Sequence, residues 1–345
     1  MKKRNLMLLL VLLISSGVLF AQKKNGAISF TKQDTETLRA RDIVESINGS
    51  KSTGDITFGT ESVFSSERIY FCSAITIDAS HFLVAYSDYA NPEYGKAVIG
   101  TITGSSITYG SEIAFNSGAT FYVRAALLDA THFVVVYKNN SNSGYGQSRI
   151  GVISNGNEIS FGTVNTYNSG EISHCYVSAL DANHFVCVYK DDADSGYGNA
   201  RIGTVTGSSI SMGTEYCFNE ASVSFVTCSA LDASNFVVAF MDYSVYQAFS
   251  VIGTITNGDD ISFGSTEIVT TSTIQDFSST TLDANHFVLA YNHNGVSKGH
   301  AIVGTVSGNT ISYGSEYVFD NTPAKYNSCT KLDEGRFLIA YMSLV

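Results

Sequence analysis

Positive charge is scarce in this chain: 20 Lys and Arg stand against 31 Asp and Glu, a formal net charge of −11. No basic run interrupts the acidic excess, so the surface would repel a phosphate backbone, and nucleic acid is excluded as a partner. Neither His-Glu-x-x-His nor paired Cys-x-x-Cys occurs, which removes the usual zinc spacings. Beyond the first residues there is no apolar run long enough to span a bilayer, so no membrane span is expected in the body of the protein.

Residues 1–21 read as a signal peptide. Lys2, Lys3 and Arg4 form a basic start, Leu6 to Ile14 an apolar core, and Leu19-Phe20-Ala21 a cleavage site before Gln22. The apolar stretch is short for a span and has no stop-transfer flank, and no cysteine follows the site to carry a lipid anchor. Export is the expectation, to a periplasm, the cell surface or the medium. Losing three basic residues takes the net charge to −14, which keeps an exported protein soluble.

What the chain does contain is a unit of about 51 residues, repeated six times and broken off in mid-unit. Ile-x-aromatic-Gly tetrads begin at Ile56, Ile107, Ile159, Ile210, Ile261 and Ile311, with Met212 once replacing the aromatic. Asp-x-x-x-Phe recurs at Asp78/Phe82, Asp129/Phe133, Asp181/Phe185, Asp232/Phe236, Asp283/Phe287 and Asp333/Phe337. Both series advance by 51, 52, 51, 51 and 50 residues. A period of that size built from short strands predicts an all-β fold, a six-bladed β-propeller with four antiparallel strands per blade.

The third unit shows the four strands: Tyr176 to Leu180, His184 to Tyr189, Arg201 to Thr206 and Ile210 to Phe218. Phe185-Val186-Cys187-Val188-Tyr189 has no polar alternation, so it must be buried on both faces, as a sheet between two neighbours would be. Glycines in the third strand (Gly100, Gly151, Gly203, Gly253, Gly304) and the fourth (Gly59, Gly110, Gly162, Gly213, Gly264, Gly314) predict bulges or close backbone approach. The last unit supplies only two strands, around Tyr326 to Leu332 and Arg336 to Met342. Ile43 to Asn48 resembles Ile252 to Asn257, and Ile56 to Phe64 follows as a fourth strand, so the termini are expected to share the last blade and close the ring. The division is then 1–21 signal peptide, 22–42 N-terminal extension and 43–345 propeller.

Within a repeat the cysteines find an explanation. Cys72 and Cys175 stand where sister units have Val123 and Val226, and Cys228 and Cys329 where others have Ala74, Ala125 and Val177. Exchange with Val and Ala marks small core hydrophobes; a Cys175–Cys187 bridge across a hairpin stays open.

Two faces follow from strand alternation. The tight turns carry Asp78/His81, Asp129/His132, Asp181/His184 and Asp283/His286, a ring that in principle suits metal or proton transfer. Asp opening a turn is ordinary turn chemistry, and Asn235 and Arg336 replace His in two units, so these read as structural. The opposite face has the longer connections, from Ser87 to Lys96, Lys138 to Gln147, Lys190 to Asn199, Asp242 to Ser250 and Asn292 to Gly299. There the tyrosines Tyr94, Tyr145 and Tyr197 precede glycine and sit near Asp88, Asn140, Asp191 and, one unit on, Asp242. An aromatic ring beside Asp and Asn suits a sugar, the ring covering its C–H face and the polar groups its hydroxyls. These seven residues are the candidate ligand contacts; packing of each Tyr on the next blade is the plainer alternative.

The period resembles that of kelch repeats, but the Gly-Gly doublet and Trp of that pattern are absent, as is the Trp of sialidase-type Asp boxes. The Phe-Gly pairs with the acidic loop Asp192 to Gly196 resemble integrin-type Phe-Gly repeats, a resemblance that implies calcium at Asp192 and Asp194. Sister loops lack the second Asp, and no other cofactor is expected. The Tyr-Gly, Ile-Gly-Thr and Phe-Gly combination is most similar to repeat proteins of exported bacterial type. The units are too alike for a unique acid, base or nucleophile to stand out, which favours a non-catalytic, monomeric module binding a surface glycan or extracellular protein. The alternatives are a hydrolase or lyase at the central channel and a purely structural repeat protein.

Overall fold

The computed structural model describes residues 19–24, 27–32, 37–41, 62–89, 93–333 and 335–343, and among them every regular element is a β-strand. Successive units repeat one order, innermost strand to outermost, in antiparallel pairing. In the unit that begins at Ile69, Ile69–Thr76 pairs with His81–Asp88, which pairs with Gly95–Thr103. The outermost strand is in two pieces, Ser106–Tyr109 and Ile113–Asn116, both on the same edge of Gly95–Thr103. This is the β-propeller expected from the repeat.

Phe185, Val186, Cys187, Val188 and Tyr189 are all fully buried, and alternate residues look opposite ways. Phe185, Cys187 and Tyr189 pack back on Val134 and Val136 of the preceding unit, whereas Val186 and Val188 pack forward on Val238 and Phe240 of the next. Each such ring or branched side chain contributes about 1.5–3 kcal/mol on leaving water. The core is therefore a series of interfaces between sheets.

The third-strand glycines make those interfaces possible. Phe133 pairs directly with Gly151 and lays its ring across the backbone there; an ideal Cβ on Gly151 would fall 2.0 Å from that ring. In the outermost strand a Cβ on Gly162 would fall 1.9 Å from the carbonyl oxygen of Ser208 in the next unit. Close approach explains the third-strand glycines and, in the outermost strand, Gly110, Gly162, Gly213 and Gly264, as expected; Gly314 has room for a Cβ, and Gly59 lies outside the described residues. The same glycines also break the outermost strand: Gly213 N–H donates to Ile202 O (2.8 Å), and the Arg201 guanidinium caps the Gly213 carbonyl (2.7 and 2.9 Å).

Innermost strands are rich in small residues because their hydroxyls join neighbouring units. Ser73 Oγ accepts from Ala125 N–H (3.1 Å), Ser178 Oγ from Ala230 N–H (3.0 Å) and Ser278 Oγ from Cys329 N–H (2.9 Å). Backbone donors that no ladder reaches are satisfied in this way. Between the second and third units the connection itself is strand: Asn165–Ala179 runs unbroken, pairing first with Tyr145–Ser154 and then with His184–Asp191.

In the last unit, Ala324–Asp333 and Arg336–Ser343 are joined by N-terminal strands, as the shared-blade expectation requires. The pairing differs in detail. Thr37–Arg41 lies against Arg336–Ser343, with Ala27–Lys32 and Leu19–Lys24 beyond it, so pairing begins upstream of Ile43, within the stretch assigned to an extension. Residues 43–61, which include Ile43 to Asn48 and Ile56, lie outside the described ones, and residues 62–64 are not strand. The anticipated cleavage point after Ala21 falls inside Leu19–Lys24. No helix among the described residues is long and apolar enough to cross a membrane.

Candidate functional site

The Asp and His ring of the tight turns is structural. Asp78 Oδ1 accepts from Ser80 N–H (2.7 Å) and His81 N–H (2.9 Å), and His81 Nδ1 lies 2.8 Å from Oδ2. The backbone N–H of Ser80, with help from His81, holds the Asp78 carboxyl down to about 2. Equivalent contacts hold His132 on Asp129 (3.0 Å), His184 on Asp181 (2.9 Å) and His286 on Asp283 (2.9 Å). Asn235 and Arg336 donate to Asp232 and Asp333 in the same way, so any donor at that position serves the turn.

On the opposite face the seven candidate contacts separate. Asp88, Asp191 and Asp242 are only 2 %, 6 % and 7 % exposed, so they lie beneath the loops and not at the surface. Their carboxylates organise the loops instead. Asp191 accepts from Ala193 N–H, Asp194 N–H and Asn168 Nδ2; Asp242 accepts from Ser244 N–H and Asn219 Nδ2; Asp88 is paired with Lys96 (2.5 Å). Tyr94, Tyr145 and Tyr197 are half-buried and stand at or beside the start of the third strand, not at a loop tip. The connections shrink to four to six residues because the strands run further than the sequence suggests, Gly146 and Gly198 letting the Tyr167 and Phe218 rings lie across their backbone. Asn140 alone of the seven is fully exposed. Asp192 is paired with Lys190 (2.8 Å), and Asp194 is exposed.

This face nevertheless holds a cleft of about 480 Å³ between the second and third units. Its walls are Thr166 to Gly170 on one side and Asp191, Ala193, Asp194, Arg201 and Glu215 on the other. Thr166, Ser169, Asp194 and Glu215 present polar atoms to solvent, while the Arg201 guanidinium is fixed by the carbonyls of Gly213 and Tyr167, and Tyr189 OH donates to Glu215. Sister units have Val98 with Glu112, Arg149 with Val164, Val251 with Thr266 and Ile302 with Glu316 at the Arg201 and Glu215 positions. Of these five units only the third combines an arginine and a glutamate there.

At 14 % identity the fold is similar to a fucose-specific lectin from Aleuria aurantia, with a TM-score of 0.51 over 90 % of this chain and 98 % of that one. AofleA from Arthrobotrys oligospora matches at 11 % identity and a TM-score of 0.51, over 79 % of each chain. A protein of unknown function from Dyadobacter fermentans matches at 11 % and 0.51, over 80 % of this chain and 95 % of that one. No family model matches the sequence, and no curated protein matches it. These likenesses establish the fold.

A second feature escaped the sequence pattern. Tyr122, His174, Phe225, Asp276 and Tyr326 occupy one position of successive innermost strands and all have left-handed backbone, with φ of 52°, 48°, 48°, 57° and 54°. Each lies in a bulge of its strand, where pairing skips two residues, as between Ser224 and Thr227. Phe71 holds the equivalent place in the first unit, within the Ile69/Cys72 shift. The rings meet in order: Phe71 to Tyr122 at 4.9 Å, Tyr122 to His174 at 5.2 Å and His174 to Phe225 at 5.5 Å between centroids. Because side-chain type varies at this position, no motif marks it; the repeat offset alone would have found it.

Proposed function

We propose that the protein is an exported, non-catalytic module that binds glycan through the face carrying the cleft between its second and third units. The observation that carries this reading is the cleft itself. It is an open depression whose exposed groups are hydroxyls and carboxylates suited to sugar hydroxyls. The fold likeness to a fucose-specific lectin supports the same reading. Export rests on Lys2 to Ala21 and places the module in a periplasm, on the cell surface or in the medium.

A glycan screen on the mature protein, with and without calcium, tests the function. Binding should fall in Asp194→Ala and Thr166→Ala, both at exposed positions, with no change in melting temperature. A calcium requirement would point to Asp192 and Asp194 as ligands. Turnover of any screened glycoside would count against a non-catalytic role. Intact mass of protein recovered from cell fractions checks processing at Gln22.

A further inference from the structure

At the innermost-strand position that runs through Phe71, Tyr122, His174, Phe225, Asp276 and Tyr326, otherwise similar units differ in chemistry. Left-handed backbone at a non-glycine residue is uncommon and costs of order 1–3 kcal/mol. This chain has 30 glycines and uses none of them there. Five successive units keep a strained backbone together with a substantial side chain, which points to a use for the side chains. The innermost strands of neighbouring units pack on one another in chain order, from Ile69–Thr76 to Ala324–Asp333, so this position forms one row along them. The bulges lie near the ends of those strands that adjoin the face of the cleft.

The collar is lopsided. Phe71, Tyr122, His174 and Phe225 form a continuous, half-buried aromatic arc. The remaining two positions are polar: Asp276, whose carboxyl receives the Tyr326 backbone N–H, and Tyr326, which is 48 % exposed. The fixed charges around His174 and Asp276 are of both signs. Lys190 pairs with Asp192 (2.8 Å), Lys325 lies beside Asp276, and Arg124 sits over the Tyr176 ring (5.3 Å to its centroid). An apolar wall beside hydrogen-bonding groups suits an uncharged ring with one C–H face and several hydroxyls.

We propose that this collar is a binding site for a single neutral sugar ring, stacked on the arc from Phe71 to Phe225 and hydrogen bonded to Asp276. The proposal rests on the glycan reading above but assigns the ring to a different place from the cleft. It adds an aromatic platform distinct from Tyr94, Tyr145 and Tyr197.

The test uses the mature protein and a panel of neutral methyl hexosides and methyl deoxyhexosides at millimolar concentration. Saturation-transfer NMR reads binding, and the His174 imidazole resonances, assigned by their loss in His174→Gln, read the location. A bound sugar should shift those resonances. Phe225→Leu and Tyr122→Leu keep an apolar side chain and should weaken binding about tenfold, as should Asp276→Asn, while His184→Asn, in a tight turn on the opposite face, leaves it unchanged. Circular dichroism of each variant confirms that it is folded. If a sugar binds without moving His174 and only the cleft variants weaken it, the collar proposal fails and the glycan reading stands. If no sugar in the panel binds, both fail. Displacement of His174 signals by tetramethylammonium or by a phenylalanine amide, but by no sugar, overturns the ligand class.

Discussion

A single aspartate in each tight turn shows how much one side chain is asked to hold. Asp181 accepts from Asn183 N–H (2.7 Å) and faces His184, and replacing it with Ala should cost about 1 kcal/mol by leaving turn amides without their acceptor. His184→Asn should cost less, since Asn235 already fills that place against Asp232. Thermal melts of the two variants check the order. The lowered carboxyl of Asp78 fixes the sign of a pH effect. Its folded value of about 2 lies below the ordinary 3.8, so its contribution is complete above about pH 4 and is lost as pH falls towards 2. Melting temperature in Asp78→Asn should therefore change less between pH 5 and about pH 2.5 than in the parent. For the cysteines, burial pushes Cys175 up to about 11 and Cys329 to about 12, whereas Cys217 is exposed. One thiol should label quickly in native buffer and the buried ones only in denaturant, and reduction should leave the melting temperature unchanged.

Among the strands, the glycine pairs and the bulges make opposite demands. Gly151→Ala forces a Cβ to within about 2 Å of the Phe133 ring and should cost about 1–3 kcal/mol, the usual penalty of overpacking. Phe225→Gly reverses the logic. It relieves a φ of 48°, so it should be more stable than Phe225→Ala by about 1 kcal/mol, and equal stability of the two in urea would argue that the bulge is not strained. This contrast also marks what the sequence could reveal. Gly151 and Phe133 recur at a fixed spacing with fixed identity, so their close approach was legible, as were the buried run Phe185 to Tyr189 and the turn role of Asp181. The collar was not, because Phe, His, Asp and Tyr share no pattern and a left-handed φ leaves no mark on composition. Nor was the burial of Asp88, Asp191 and Asp242, since an aspartate next to a polar loop looks the same whether it turns outward or caps the loop from beneath.

For the whole molecule, the period, the strand order and the use of an N-terminal strand in the last sheet were all readable from the repeat. The strand chosen was not: Thr37–Arg41 has no close copy elsewhere in the chain, and its pairing with Arg336–Ser343 is a property of position. We propose that the sixth unit closes on the first. Solution scattering on the mature protein should then give a radius of gyration of about 20 Å, that of a compact body, and a clearly larger value would indicate an open arc. Deleting residues through 41 uncovers the edge of Arg336–Ser343 and should lower the melting temperature and promote aggregation. A truncated protein as stable as its parent would remove the N-terminal strand from the account of closure.

The unbroken strand Asn165–Ala179 also bears on where the polypeptide could be cut and rejoined. Elsewhere the units are linked by short turns, such as 220–222 and 271–273, whose backbone is not committed to a ladder. A circular permutant opened at either turn gives up few hydrogen bonds. One opened between Ser169 and Gly170 divides a segment that is laddered to Tyr145–Ser154 on one side of the cut and to His184–Asp191 on the other. The second and third units are thus one piece for the purposes of permutation and domain insertion, and the cleft between them lies along the seam that cannot be reopened without loss.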